Sequence, residues 1–253
     1  LRHLRSSGVP VARFDVIGSE LELAEKERLL AAFMEREKLA FPVVLKPDVG
    51  QRGQGVAIVD DREEARAFLA CQVEDTIAQE YVGGVEYGIF YYRFIDSEQG
   101  RVSSITDKRM TYVVGDGSST LERLILQDSR AVCMADFFLR TFESKLELVV
   151  PAGETFPLTK VGTHCRGALF LDGESLITKE LEAEVDRFSA GVEGFHFGRY
   201  DARVPSPEAL RKGEGIRVIE LNGLTSEPTN MYDPQHSIWF AWRALTRQWR
   251  LIF

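Results

Sequence analysis

The sequence predicts an α+β fold. Helical and strand-like segments follow one another irregularly, with strand segments in succession between residues 77 and 114, where a doubly wound parallel sheet would alternate the two. Apolar residues fall at helical spacing in 20–39, as Leu21, Ala24, Leu29, Ala32 and Phe33, while shorter β-rich runs such as 41–46 are bounded by Gly and Pro. The 253 residues are 44% hydrophobic and 28% charged, ordinary values for a globular chain long enough to bury a sizeable core.

Each element follows from local pattern. Residues 1–7 read as the tail of a helix; with no initial methionine, the chain is expected to be a piece of something longer. After the Gly8-Val-Pro10 turn come strand 11–17 and amphipathic helix 20–39. Strand 41–46, a glycine-bearing loop at 47–55, strand 56–59 and helix 62–70 come next. Segments 77–82 and 86–94, separated by Gly83-Gly84, and 101–114 are expected to form antiparallel sheet. Thr120 is placed as the N-cap of a helix at 121–126, and a second helix is expected over 130–141. Helix 180–190, strands 195–204 and 216–221, and a closing helix at 235–249 complete the reading.

The 31 basic and 39 acidic side chains give a net charge of -8, which offers no general attraction for nucleic acid or an anionic surface. No basic stripe interleaved with aromatics emerges, so a nucleic-acid partner is not expected. No apolar run approaches the roughly 20 residues of a membrane span. Cys71, Cys133 and Cys165 are odd in number and widely spaced, against a disulfide framework or zinc site and in keeping with a reducing cytoplasm.

Lys46 ends an apolar strand and is followed by Pro47-Asp-Val-Gly-Gln-Arg-Gly-Gln-Gly55. Its ammonium would project where the amides of a loop containing Gly53 and Gly55 can cradle phosphate oxygens. A flexible hairpin with a solvated lysine would carry the same residues. The segment continues as strand and lacks the Gly-Lys-Ser/Thr ending, which disfavours dinucleotide and Walker motifs.

Asp201 and Arg203 lie two apart on one expected strand, and Glu220 and Asn222 on another, so each pair shares a face. If the strands are neighbours, two carboxylates and an amide oxygen converge, a donor set suited to magnesium completed by phosphate and water. An exposed polar face on two edge strands is the plainer alternative.

With these residues in place, the chain resembles the ATP-grasp superfamily, specifically the D-alanine-D-alanine ligase-like carboxylate-amine ligases. Phe41-Pro-Val-Val-Leu-Lys-Pro47 and its loop look like the family's phosphate-binding segment. Gln79-Glu-Tyr-Val-Gly-Gly-Val-Glu86 looks like its adenine hinge, and Gly198-Arg-Tyr-Asp201 with Glu220-Leu-Asn222 like its metal-binding strands. The resemblance implies two lobes, residues 1–84 and 85–253, with antiparallel sheets and the nucleotide between them. It implies that the backbone of Glu80 and Val82 meets adenine and that Glu86 receives the ribose hydroxyls. Arg199 would stabilise transferring phosphate, and Asp201, Glu220 and Asn222 would hold one or two magnesium ions, with manganese as a substitute. The ligases usually carry a preceding substrate-binding domain and a further ATP-contacting lysine, which this sequence lacks.

The expected function is therefore an ADP-forming ligase joining a small carboxylate to an amine or thiol through an acyl-phosphate. A kinase without the amide-forming step and a non-catalytic nucleotide-binding module are the alternatives. Lys108, beside Arg109, and Arg166, in the polar Lys160-Val-Gly-Thr-His-Cys-Arg-Gly167 loop with His164, are candidates to meet phosphate or an anionic substrate. Thr225, Ser226 and Glu227 follow the second metal strand and suit either substrate contacts or a plain turn. His196 and the aromatics Tyr87, Phe90, Tyr91, Tyr92 and Phe94 read as core packing. Trp239, Trp242 and Trp249 fall at helical spacing that suits docking on the body of the domain.

Overall fold

The computed structural model describes residues 1–50 and 53–252. Gln51 and Arg52 of the expected glycine loop lie outside the described residues. In chain order the elements are α1 (Arg2–Ser6), β1 (Phe14–Ile17), α2 (Leu23–Arg36), β2 (Val43–Pro47), β3 (Ala57–Val59), α3 (Arg62–Cys71), β4 (Thr76–Glu80), β5 (Val85–Tyr92) and β6 (Arg101–Arg109). They continue with β7 (Tyr112–Val114), α4 (Leu121–Gln127), α5 (Ala135–Thr141), β8 (Thr155–Pro157), β9 (Leu169–Asp172), α6 (Lys179–Ala190), β10 (Phe197–Val204), α7 (Pro207–Lys212), β11 (Arg217–Asn222) and α8 (Ile238–Ile252). Two compact units result: Leu1–Asp107 with Leu171–Phe253, and Lys108–Phe170.

In the first unit, an antiparallel sheet of order β1-β4-β2-β3 sets Val44 opposite Gln79 and Leu45 opposite Ala57. Its apolar side, with Val43, Leu45 and Ala78, packs on Leu30 and Phe33 of α2 and Ala65 and Leu69 of α3. The inward stripe of α2 is Leu23, Lys26, Leu30 and Phe33; Ala24 and Ala32, expected on that stripe, are exposed. Their small side chains fit either face, so the larger Leu30 and Phe33 decide the rotation.

The second sheet has the order β11-β10-β5-β6-β9, with β10 antiparallel to both β5 and β11. One face packs Tyr87, Ile89, Tyr91, Tyr200, Ala202 and Val204 against Leu181, Val185 and Phe188 of α6 and Leu210 of α7. Strand alternation therefore turns Glu86, Gly88 and Phe90, and Arg199, Asp201 and Arg203, to the opposite face. Thr178 caps α6, accepting from the Leu181 amide at 3.1 Å.

Three expectations change. The strand segments on either side of Gly83-Gly84 enter different sheets, β4 pairing with β1 and β2 while β5 pairs with β10. Gly84 makes that crossing at φ 89°, where an added Cβ would sit 2.1 Å from the Val204 carbonyl oxygen. Phe94, expected in the core, lies past the end of β5 and is exposed. The tryptophans do not form the buried side of α8: Trp239, Trp242 and Trp249 are 73%, 64% and 59% exposed. Gln248 takes the buried position on α8 and donates from Nε2 to the Ser226 carbonyl. Helical spacing shows which residues share a face, but the partner surface decides which face turns inward.

In the second unit, β7 and β8 pair antiparallel, and Val113, Leu121, Leu124, Ile125, Phe138, Val150 and Leu158 form its core. Thr120 caps α4 as the sequence predicts, accepting from the Arg123 amide at 3.3 Å. The helix expected at 130–141 divides into a 3-10 turn, Ala131–Met134, and α5.

Candidate functional site

The two acidic strands are neighbours. On β10 and β11, Asp201 stands opposite Glu220 and Arg199 opposite Asn222, with a bulge after Asp201. Across β10 on its other side, Asp201 faces Gly88, Arg199 faces Phe90 and Arg203 faces Glu86. Gly88 leaves room beside the carboxylate, since a Cβ there would come within 3.1 Å of Arg199 Cδ and 3.4 Å of Asp201 Oδ1.

Asp201 is buried and multiply engaged. Arg199 donates from Nε to Oδ1 at 2.9 Å and from Nη2 to Oδ2 at 3.3 Å, and Asn222 donates from Nδ2 to Oδ2 at 3.1 Å. Arg199 Nη1 also reaches the Glu227 carbonyl at 3.0 Å. Burial works against the Arg199 charge, but the adjacent Asp201 carboxylate outweighs it and raises the guanidinium pKa. Behind this pair Thr229 and Thr106 share a hydroxyl hydrogen bond of 2.8 Å, tying the loop after β11 to β6.

Lys46 lies at the end of β2, and its Nζ donates to Gln79 Oε1 at 3.1 Å and to the Ile219 carbonyl at 3.0 Å. It therefore bridges β2, β4 and β11. Burial lowers its pKa, opposed by the charges of Glu220 and Asp201. Lys46, Asp48, Gly50, Gly53 and Glu220 line one cavity of about 550 Å³. Gly53 and Gly55 both have φ 71°, and a Cβ at Gly55 would meet Pro47 Cγ at 2.8 Å.

At the hinge, Glu80 forms a fork with Arg13, which donates from Nη2 to Oε1 at 2.6 Å and from Nε to Oε2 at 2.9 Å. The Glu80 amide donates to the Arg13 carbonyl at 2.8 Å, and the Val82 carbonyl accepts from Arg203 Nη1 at 2.8 Å. Arg203 also pairs with Glu86 at 3.3 Å and stands 5.3 Å from the Tyr81 ring centre. Sequence reasoning set Arg203 aside as no metal ligand and gave it no other role. Its position two residues from Asp201 put it on the same strand face, but no sequence signal placed Glu86 and Val82 beside it.

Lys108 and Arg166 belong to the second unit. Lys108 is buried, with Nζ 5.7 Å from the Phe170 ring centre. Arg166 ends the 3-10 turn His164–Arg166, next to Gly167 at φ 97°. The Gly167 carbonyl accepts from Thr111 Oγ1 at 2.6 Å, and Lys160 is exposed. His196 is half-buried and immediately precedes β10.

Among the described residues no three His, Cys, Asp or Glu side chains gather as a metal site. Two adjacent carboxylates and an amide are instead the partial oxygen set used for a hard ion that keeps waters and takes phosphate oxygens, so the donor chemistry fits magnesium.

The fold and this pair of strands define the class, an ATP-grasp fold. Over its whole length, 99% of the chain superposes on D-alanine–D-alanine ligase from Bacillus anthracis with a TM-score of 0.54 and 17% identity, covering 63% of that chain. Residues 7–88 match the family model of the RimK-like ATP-grasp domain. Among curated relatives, cyanophycin synthetase of Geminocystis herdmanii is 28% identical over 128 residues, spanning 48% of this chain and 13% of that protein. Cyanophycin synthetase of Trichormus variabilis is 31% identical over 128 residues, again 13% of its length. The chain thus covers a small part of the curated relatives it matches.

Proposed function

We propose that the chain binds Mg-ATP and is the ATP-using part of an ADP-forming ligase that joins a small carboxylate to an amine or thiol. The observation that carries this reading is the rung of Gly88, Asp201 and Glu220 with Arg199 and Asn222 beside it, near the Lys46 cavity. The match to the RimK-like ATP-grasp model and the likeness to D-alanine–D-alanine ligase support it.

In this reading residues 1–84 and 85–253 are the lobes that hold the nucleotide. The Glu80 carbonyl and Val82 amide meet the adenine edge, their other backbone groups being engaged, and Glu86, steadied by Arg203, faces the ribose. Lys46 and the amides around Gly53 and Gly55 hold phosphate oxygens. Asp201, Glu220 and Asn222 hold one or two magnesium ions, or manganese, which when bound neutralise phosphate charge. A substrate carboxylate oxygen attacks the γ-phosphorus and ADP leaves; the amine then attacks the acyl carbon, losing a proton as inorganic phosphate departs. Arg199 stabilises charge on the transferring group.

The test is ADP release by the full natural protein, screened over carboxylates and amines. ADP should form only when both are present and fall at least about a hundredfold in Asp201→Asn. Unchanged turnover in that variant refutes the assigned metal site. Phosphorylated product without amine consumption indicates a kinase, and tight Mg-ATP binding without product indicates a binding module.

A further inference from the structure

All three tryptophans of the chain lie on α8, and all are more than half exposed. At roughly 100° per residue, Ile238, Trp249, Trp242 and Trp239 form an outward stripe about a quarter of the helix circumference wide. Ile238 is 70% exposed, which makes the stripe apolar from its first turn. Arg250, Arg243 and Arg247 follow on one border of the stripe, all exposed. The helix Ile238–Ile252 contains no Asp or Glu, although the chain as a whole carries a net charge of -8. Its opposite side, with Phe240, Ala244, Gln248 and Leu251, lines a cavity against Phe90, Ser104 and Asn230, a cavity that Glu174 and the α8 residues Arg243 and Arg247 also line, so this side anchors α8 in the first unit.

We propose that the outer face of α8 docks on an anionic lipid bilayer, lying in the plane of the headgroups. Tryptophan is the side chain best suited to that depth, its ring apolar and its indole N–H able to bond to water or phosphate. A row of arginines beside an apolar stripe matches a surface whose phosphates are negative, while the aliphatic stems reach along the interface. A second copy of this chain is a poorer occupant. A two-fold contact that pairs this helix antiparallel would bring the arginine rows together with no acidic residue on α8 to pair them. The proposal does not depend on the nucleotide reading, because none of these residues belongs to the site assigned there.

The test is co-sedimentation of the full chain with vesicles of phosphatidylcholine alone and of an equal mixture with phosphatidylglycerol, at low and high salt, with light scattering in the absence of lipid. The expected result is binding to the anionic vesicles with a blue shift of tryptophan emission, weakened by salt. Partitioning should fall roughly tenfold or more in the triple variant Trp239→Ser, Trp242→Ser, Trp249→Ser. The triple variant Arg243→Gln, Arg247→Gln, Arg250→Gln should lose the preference for anionic over neutral vesicles. Circular dichroism establishes that both variants fold, and for a variant that does not, single substitutions at Trp242 and Arg250 give the same comparison with a smaller effect. The proposal is overturned if the wild-type chain stays in solution with anionic vesicles at low salt, or if loss of the tryptophans leaves binding unchanged. It is equally overturned if lipid-free light scattering shows a dimer that the tryptophan variant abolishes.

Discussion

Arg199 and Asp201 hold each other, both carboxylate oxygens receiving guanidinium hydrogen bonds. A cation already occupies the electrostatic place that a metal ion would take, so metal and Arg199 compete for Asp201 unless phosphate draws the guanidinium away. Arg199→Met should therefore bind manganese roughly tenfold more tightly without nucleotide, read by electron paramagnetic resonance, while turnover falls about 10² to 10³. Weaker metal binding in that variant refutes the competition. The candidate ligands were legible because strand alternation puts Asp201 with Arg203, and Glu220 with Asn222, on one face each. The Arg199–Asp201 pairing was not. Two side chains on the same face of one strand can both point to a ligand or bond to each other, and only the room left by Gly88 on the neighbouring strand shows which geometry is open.

Elements with a local chemical signature were readable, and those defined by distant partners were not. Thr120 before an apolar run announces α4; Ser206-Pro207 with Gly213 frames α7 in the same manner, a signal the sequence reading passed over, the Ser206 hydroxyl accepting from the Ala209 amide at 3.2 Å. Before α4, Asp116 accepts from the Ser119 hydroxyl at 2.7 Å and from the Ser119 and Ser118 amides, which holds its carboxyl well below the ordinary range. Because the folded-state pKa is depressed, this turn's contribution is complete above the unfolded value and is lost as pH falls below about 4. Thermal midpoints of wild type and Asp116→Asn should differ at neutral pH, the difference narrowing progressively as pH falls below about 4. The crossing between β4 and β5 gave no such signature: a Gly-Gly pair between strand segments also suits a hairpin. Gly84→Ala should cost about 2 kcal/mol or more in denaturant unfolding, since it combines positive φ with an overlap on Val204.

At the scale of the whole molecule, the second unit, Lys108–Phe170, carries its own apolar core around the fully buried Phe138. Phe138→Ala should destabilise that core by about 3–5 kcal/mol. Hydrogen exchange should rise across residues 111–158 while the amides of β4 and β5 stay protected; uniform loss of protection would show one cooperative unit. No helix among the described residues is long and apolar enough to cross a membrane. By itself the sequence determined the α+β class, the order of most elements, the Lys46 loop and the acidic strand pair. Each of these is written in short-range period, turn chemistry or two-residue spacing. Tertiary structure alone decided that Arg203 reaches Glu86 and the Val82 carbonyl, that Lys46 reaches the Ile219 carbonyl, and that the α8 tryptophans are exposed. Those features depend on contacts between residues far apart in the chain, and no local propensity records which of two equivalent faces or partners the packing will choose.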